Sequence, residues 1–230
     1  MWGQIVPGLR IKLFMTVVLG VIYPLAMTGL SQLVFPHRAN GSLIVRGDKV
    51  IGSELIGQSF ARPEYFQPRP SAAGSGYDAT ASGGANLGPT SAKLISNTSV
   101  RLVHYCVDND VPYDSSVPLD TFKDASGKID DAKLAKAFAD PNAPLRFRAK
   151  TPIPADAVTA SASGLDPHIS PANAEIQAAR VVKARGIPAD GVKKLIAELT
   201  ERADLGLFGE PRVNVLKLNM ALDERRPARR

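Results

Sequence analysis

Cysteine is nearly absent from this 230-residue chain: Cys106 stands alone. No intrachain disulfide and no cysteine-built metal site is therefore possible, and the ordinary place for such a residue is a small apolar position in a core. Histidine is also scarce. His37, His104 and His168 lie far apart and no His-Glu-x-x-His run occurs, so the sequence lacks a zinc-hydrolase ligand set. No Gly-x-x-x-x-Gly-Lys-Ser/Thr is found, which removes a P-loop. Asp48-Lys49 continues as Val50-Ile51 rather than Thr-Gly, so the phosphorylated aspartate of an ion-pumping P-type enzyme is missing too. Ser82-Gly83-Gly84 is glycine-rich, but nothing after it would hold Mg²⁺ or a terminal phosphate, and it reads as a turn.

The most informative absence is one of charge. No Asp, Glu, Lys or Arg occurs from Leu13 to Pro36. A helix rises about 1.5 Å per residue, so about 20 apolar residues cross a hydrocarbon layer about 30 Å thick. A cleaved signal peptide has a shorter apolar stretch and a small-x-small cleavage site. Here the run is longer and ends in Phe35-Pro36-His37-Arg38, with Ala39-Asn40-Gly41 a poor cleavage site. The segment is expected to be an uncleaved signal anchor. The organisation that follows is a short N-terminus over residues 1–12, a transmembrane helix over 13–36, a water-soluble domain over 37–223 and a basic tail over 224–230. Arg10 and Lys12 precede the span, and His37, Arg38 and Arg46 follow it, so the local charge bias is nearly balanced. Large domains cross largely regardless of charge, and the expected topology is a cytoplasmic N-terminus with the domain outside.

What is present beyond the span is ordinary. Hydrophobic residues make up 44% of the chain and charged ones 22%, as in globular proteins. The formal net charge of +6 raises the question of nucleic acid. Much of it sits at the ends, on Arg10, Lys12, Arg225, Arg226, Arg229 and Arg230, and no basic stripe with interleaved aromatics appears. Nucleic-acid binding is excluded on that ground.

Along the domain, Ser42–Val45 and Val50–Gly52 flank Arg46-Gly47-Asp48-Lys49, the pattern of a β-hairpin. Residues 60–90 are dense in Pro and Gly and read as a loop. Tyr65, Phe66 and Tyr77 within it predict an ordered loop packed on the domain. Pro89 suits the first turn of a helix over 90–107, with Leu94, Ile95, Thr98, Leu102, Val103 and Cys106 on one face. A second helix is predicted over Asp131–Ala139, turning Leu134, Ala137 and Phe138 inward. Ser170-Pro171 as cap and first turn, with Gly186 as stop, frames a third over 171–185. Pro188 precedes a fourth, with Val192, Leu195, Ile196 and Leu199 on one face. Residues 212–223 alternate apolar and polar like a strand, with a phase slip between Val215 and Leu216 that hints at a bulge. The predicted fold class is α+β, one transmembrane helix followed by one mixed domain with few strands.

Enzyme-like chemistry is thin. Ser161, Ser163, Asp166 and His168 cluster in sequence, and a membrane-anchored periplasmic hydrolase using Ser163, Asp166 and His168 is the alternative reading. A serine nucleophile needs a base within hydrogen-bond reach, and Asp166-Pro167 and Ser170-Pro171 suggest turn and cap roles instead. Asp108, Asp110, Asp114 and Asp120 form an acidic stretch able to attract cations, or simply a solvated loop. In the span, Thr16 and Gly20 have the small-xxx-small spacing of close helix packing. Pro24 is a kink candidate, and Thr28, Gly29, Ser31 and Gln32 make the outer end polar.

Four runs then stand together: Tyr65-Phe66-Gln67-Pro68-Arg69-Pro70-Ser71; Ser82-Gly83-Gly84-Ala85-Asn86-Leu87-Gly88-Pro89-Thr90; Val158-Thr159-Ala160-Ser161-Ala162-Ser163-Gly164-Leu165-Asp166-Pro167-His168-Ile169-Ser170-Pro171; and Gly209-Glu210-Pro211-Arg212-Val213-Asn214-Val215-Leu216. With the N-terminal anchor they resemble the C subunit of the Kdp-type potassium-transporting ATPase over nearly the whole chain. Ala85 and Ala162 depart from that pattern, the second standing where the family has glycine. The resemblance implies a non-catalytic subunit of the cell inner membrane, needed for assembly, and described in the family as a catalytic chaperone for ATP use. It implies as partners a channel-like A subunit that carries K⁺, an ATP-hydrolysing P-type B subunit and a small F subunit, besides membrane lipid. ATP and K⁺ are then handled by the complex, with no catalytic residue, metal or cofactor of this chain's own. Thr16, Gly20, Pro24 and Gly29 become candidates for packing in the membrane. Gln67, Arg69, Asn86, Gly88, Pro89, Gly164, Asp166, Pro167, Ser170, Arg180, Pro211 and Asn214 are implied as structural or interface residues.

Overall fold

The computed structural model describes residues 2–140 and 145–225. The chain forms two compact units, Met1–Leu55 and Ile56–Arg230.

The first unit is dominated by a helix that is long and apolar enough to cross a bilayer, Gly3–Val34. It begins well before the predicted span: α1 (Trp2–Val17) continues through a wider π turn (Val18–Ile22) into α2 (Tyr23–Val34). The charged pair Arg10 and Lys12 is thus helical, and Pro7 lies within the same helix. The π turn has a local cause. Pro24 has no N–H to give to the carbonyl of Gly20, four residues back, and the Tyr23 N–H reaches five residues back to Val18. Thr16 and Thr28 donate their hydroxyls to the carbonyls of Lys12 and Pro24, each at 2.8 Å. After Val34, Phe35 leaves helical geometry and Pro36 opens the short α3 (Pro36–Ala39). The predicted hairpin is present as β1 (Leu43–Arg46) and β2 (Lys49–Ser53), antiparallel, with an irregular register between Ile44 and Val45.

The second unit carries the buried cores. Helix α4 (Ala92–Asp108), strand β3 (Tyr113–Ser115), α5 (Asp131–Ala139) and β4 (Phe147–Ala149) surround Val100, Val103, Leu119, Phe122, Leu134 and Leu145. A short α6 (Ala155–Val158) and β5 (His168–Ile169) lead to α7 (Pro171–Arg185), α8 (Ala189–Leu199), β6 (Thr200–Glu201), β7 (Arg212–Asn214) and α9 (Val215–Arg225). The main core lies among α7, α8, α9 and a three-stranded antiparallel sheet in the order β5-β7-β6. This is the α+β class the sequence predicts.

Helix α5 has the predicted bounds, and α7 the predicted bounds and caps: the Ser170 hydroxyl accepts from the Asn173 N–H at 3.1 Å, and Gly186 takes a left-handed φ of 64°. Three expectations fail. The cap of α4 is Ser91, whose Oγ accepts from Leu94, so Pro89 stands before the helix rather than in its first turn; Ile95, expected inward, is 59% exposed. Residues 212–223 are not one strand. The strand ends at Asn214, whose carboxamide oxygen accepts from the Lys217 N–H at 3.1 Å, and α9 begins at Val215. The phase slip at Val215–Leu216 marks that change of period. Of the predicted basic tail, Arg225 ends α9 and pairs with Glu198, while residues 226–230 lie outside the described residues.

Candidate functional site

The proline-rich loop around Phe66 has no strand or helix to satisfy its backbone, and buried side chains do so instead. Asn219 on α9 accepts from the Phe66 N–H at 2.8 Å and donates to its carbonyl at 2.9 Å. Gln177 on α7 does the same for Gln67, at 2.7 and 3.0 Å. Two carboxamides thus act like short pieces of β-partner for consecutive residues, and the Phe66 ring is fully buried in the main core. Arg180 completes the clamp, donating to the carbonyls of Pro63 (2.6 Å) and Tyr65 (3.0 Å), to Asn109 (3.0 Å) and to Gln177 (2.8 Å). Next to it, Asp156 accepts from the Ser170 N–H, the Ser170 hydroxyl and Asn173, which in turn accepts from Tyr105 and Gln177. Burial, with the Asp156 carboxylate nearby, pushes the Tyr105 phenol well above its usual range.

A second junction joins the loops at 56–84 and 159–167. Arg69 donates to Asp166 at 2.9 Å, and its Nε is buried without an acceptor among the described residues. Tyr77, at a left-handed φ of 57°, donates its hydroxyl to the Arg69 carbonyl. Ser71 donates to the Gly164 carbonyl at 2.6 Å, and the Gly83 N–H to that of Ser163 at 2.9 Å. Ala162, where the resemblance implies glycine, is not among the residues with a left-handed backbone, so alanine carries no such strain there.

Burial opposes the charge on Asp166, but the nearby His168 ring, the His168 backbone N–H and then the Arg69 guanidinium outweigh it and hold the carboxyl below its usual range. A carboxyl lowered in the fold contributes stability that is complete above its unfolded pKa and is lost as pH falls through the folded value. Asp166→Asn is expected to destabilise the domain by about 2 kcal/mol at pH 7, because it leaves Arg69 part-buried without its anion. The deficit should shrink as pH falls below the usual aspartate range. Thermal unfolding of both proteins from pH 7 down to pH 3 measures it; a deficit constant with pH would refute the charge-based account.

The structure does not assemble the alternative hydrolase site. The Ser163 hydroxyl accepts from the Leu165 N–H at 3.1 Å, while the His168 ring nitrogens face Asp166 at 3.6 Å and Glu201 at 3.8 Å. In the acidic stretch, Asp110 pairs with Lys183, Asp114 with Lys150 and Asp120 with Lys123, all at the surface, while Asp108 borders a cleft. That cleft, of about 890 Å³, is bordered by His104, Asp108, Tyr113, Asp120, Lys123 and Asp131. Its charges are largely matched to one another, His104 to Asp131 and Lys123 to Asp120. No group of His, Cys, Asp or Glu among the described residues could hold a metal ion.

The remaining implied residues have separate places. Asn86 takes a left-handed φ of 48° in the loop before α4, Gly88 accepts from the Ser91 N–H, and Pro89 is exposed. Pro167 accepts from the Val215 N–H at 2.9 Å, joining the turn after Asp166 to the start of α9, whose cap is Asn214. Pro211 is exposed before β7. A Cβ at Gly29 would meet nothing within 4 Å, and one at Gly20 would touch the Thr16 methyl at 3.9 Å.

Sequence reasoning missed two groups. Asn173, Gln177 and Asn219 are buried polar residues in helices, visible in sequence only as carboxamides at core-facing positions of the period. The other is an exposed apolar tip between β6 and β7. Leu205, Leu207 and Phe208 are 90%, 84% and 65% exposed there. The turn bonds its own backbone, with Asp204 and Phe208 exchanging N–H···O bonds at 2.8 and 2.9 Å, so side chains face outward.

These features define a class: a protein with one bilayer-length N-terminal helix and an α+β domain in which buried polar side chains lock loops together and one apolar turn stays exposed. A family model for the K⁺-transporting ATPase c chain, KdpC, matches residues 5–140 and 128–224. Potassium-transporting ATPase KdpC subunits are similar along their length: that of Beijerinckia indica is 45% identical over 230 residues, covering 100% of this chain and 98% of that one. That of Caulobacter vibrioides is 48% identical over 231 residues (99% and 96%), and that of Mycobacterium tuberculosis H37Rv 44% over 220 residues (96% and 97%). The chain belongs to the KdpC family, the c chain of the K⁺-transporting ATPase. It is a single-pass membrane protein and an accessory subunit of that complex.

Proposed function

We propose that this chain acts within an ATP-driven potassium-uptake complex as a non-catalytic assembly subunit and catalytic chaperone. Its partners are a channel-like A subunit that carries K⁺, a P-type B subunit that hydrolyses ATP and a small F subunit. The N-terminus is cytoplasmic and the domain periplasmic, in the inner membrane. The observation that carries this reading is the end-to-end match with potassium-transporting ATPase subunits. ATP is cytoplasmic, and on this topology only the short N-terminal segment shares that side. Promotion of ATP use by the B subunit therefore works through conformational bias, the subunit favouring one state of the pump.

The exposed tip supplies a docking element for assembly. Three large apolar side chains exposed on a self-bonded turn form the kind of apolar patch that marks a protein-interaction site. The expected result is that tagged wild-type chain co-purifies with a channel-like subunit and a phosphorylatable P-type subunit, and that K⁺-stimulated ATPase activity is lost without it. Phe208→Asp together with Leu207→Asp should lower recovery of the complex at least about tenfold, the effect of about 1.4 kcal/mol, while leaving the domain's melting temperature unchanged. A wild-type chain recovered alone and without effect on ATPase activity would refute the subunit role. Full recovery with the double variant would refute the tip's part in it.

A further inference from the structure

The hairpin formed by β1 and β2 has no core. The buried apolar clusters of the described residues draw on residues from Phe60 onward, all in the second unit. Within the hairpin, Val45 pairs across the strands with Val50, and Leu43 lies two residues before Val45, on the same face. These three are 48% (Leu43), 57% (Val45) and 59% (Val50) exposed. A two-stranded hairpin is marginally stable alone in water, and one that turns an apolar face outward needs something to cover it.

The first unit also fixes where that face lies along the anchor. Lys12 is the last charge before the apolar run. From Leu13 to Val34 the helix rises about 33 Å at about 1.5 Å per residue, close to a hydrocarbon thickness of about 30 Å. The far boundary of the hydrocarbon therefore falls near Val34. Past it the chain turns back rather than away. Asn40 and Gln32 exchange side-chain hydrogen bonds at 3.2 and 3.3 Å, so the root of the hairpin is level with the last turn of α2. Ser42 donates its N–H to the His37 carbonyl, and Ser53 its hydroxyl to the Gly41 carbonyl at 2.6 Å, tying both strands to that root. The headgroup layer is about 5–7 Å deep on each side, and the strands are about 15 Å long. At least the root of the hairpin starts within the headgroup layer. Arg38, Arg46 and Lys49 outnumber Asp48 and Glu54 in this segment, which suits a surface of lipid phosphates.

We propose that the hairpin of residues 43–53 is a membrane-surface element. Leu43, Val45 and Val50 enter the boundary between headgroups and acyl chains of the leaflet where the anchor emerges, and the basic turn residues meet lipid phosphates. The anchor is then held at two points, a span and an adjacent interfacial hairpin, which fixes its depth. This inference rests on the anchor spanning the bilayer, and its test includes a separate control for that.

The test uses the full chain reconstituted into vesicles of phosphatidylethanolamine and phosphatidylglycerol. Cys106 is fully buried and burial pushes its thiol up to about 11, so it stays silent to thiol reagents and a single new cysteine can be labelled. An environment-sensitive fluorophore is placed at Val45→Cys, at Val50→Cys and, as the span control, at Leu25→Cys. Lipids brominated near the headgroup end of the acyl chain should quench the labels at 45 and 50, while aqueous iodide has little effect. Lipids brominated deep in the chain should quench the label at 25. Quenching by iodide and not by brominated lipid at both hairpin sites would overturn the proposal. So would protection that arises only after addition of the other ATPase subunits, which would mean that a protein covers this face. Failure of deep quenching at 25 would overturn the span and the hairpin's placement together, whereas failure at 45 and 50 alone leaves the span standing.

Discussion

Arg180→Met is expected to destabilise the soluble domain by about 3–5 kcal/mol, because a buried polar group stripped of its partner costs about 1–3 kcal/mol and several are stripped at once. Methionine keeps much of the volume, so the loss is one of hydrogen bonding rather than packing. The guanidinium sits among neutral acceptors: the carbonyls of Pro63 and Tyr65 and the side chains of Asn109 and Gln177. Burial lowers its pKa, but an arginine that begins so high remains a cation. Without it, two loop carbonyls and two carboxamides lose a donor, the carboxamides in a buried setting and the carbonyls in a half-buried one. The proline-rich loop should then lift away with Phe66, opening the main core. For a domain of this size the midpoint of thermal unfolding should fall by about 10 °C, and a protease should begin to cut between residues 60 and 70. Arg180→Lys should recover little, since one ammonium cannot span acceptors that the fork of a guanidinium reaches on several sides. A melting temperature within about 2 °C of wild type, which corresponds to under about 1 kcal/mol, would show that the clamp adds little to stability.

This clamp also explains what could and could not be read from the sequence. The anchor was legible because a long run without charge has few other meanings. Helix α5 was legible from its apolar face, and α7 and α8 also from end signals: Ser170 as a cap, Gly186 as a stop, Pro188 ahead of α8. Residues 212–223 misled because two periods are superposed there. Val213 and Val215 alternate as in a strand, while Val215, Leu218 and Leu222 fit a helix, and all four are buried. Asn214 was the available clue: an asparagine with a lysine N–H three residues on is a helix cap as readily as a strand residue. The partners of the loop were out of reach. Phe66 meets Asn219 at a separation of 153 residues, and Gln67 meets Gln177 at 110. No local pattern encodes such pairings, since a carboxamide in a helix is usually solvated. The exposed tip at Leu205–Phe208 was passed over for a related reason, that a short apolar stretch near glycines looks like any turn until its burial is known.

Gly164→Val is expected to be at least as damaging as the loss of Arg180, and for a different reason. Gly164 holds φ at +70°, a backbone conformation that a β-branched residue strongly disfavours. Space is the second obstacle. A Cβ there would stand 2.7 Å from both the Cβ and the backbone N of Ala73 and 2.8 Å from the Gly83 carbonyl. Two of these three contacts are backbone atoms, so no side chain can swing aside to make room. The Gly164 carbonyl also accepts from Ser71 and its N–H donates to Ser161, so a shift of this residue breaks the bonds that hold the two motif loops together. A strained backbone costs about 1–3 kcal/mol and overpacking a similar amount, so the variant should lose about 4 kcal/mol and much of its soluble expression. Ala73→Gly is the informative companion. It removes one of the clashing atoms without touching φ, so the double variant should regain only the part of the loss that comes from crowding against the Ala73 Cβ. Full recovery in that double variant would mean that backbone strain at Gly164 contributes nothing. No recovery would assign the defect to φ and to the Gly83 side of the junction. Because the same junction carries Arg69 and Asp166, the variant should also lose the pH dependence described above, and unfolding measured at two pH values distinguishes a displaced loop from a locally crowded one.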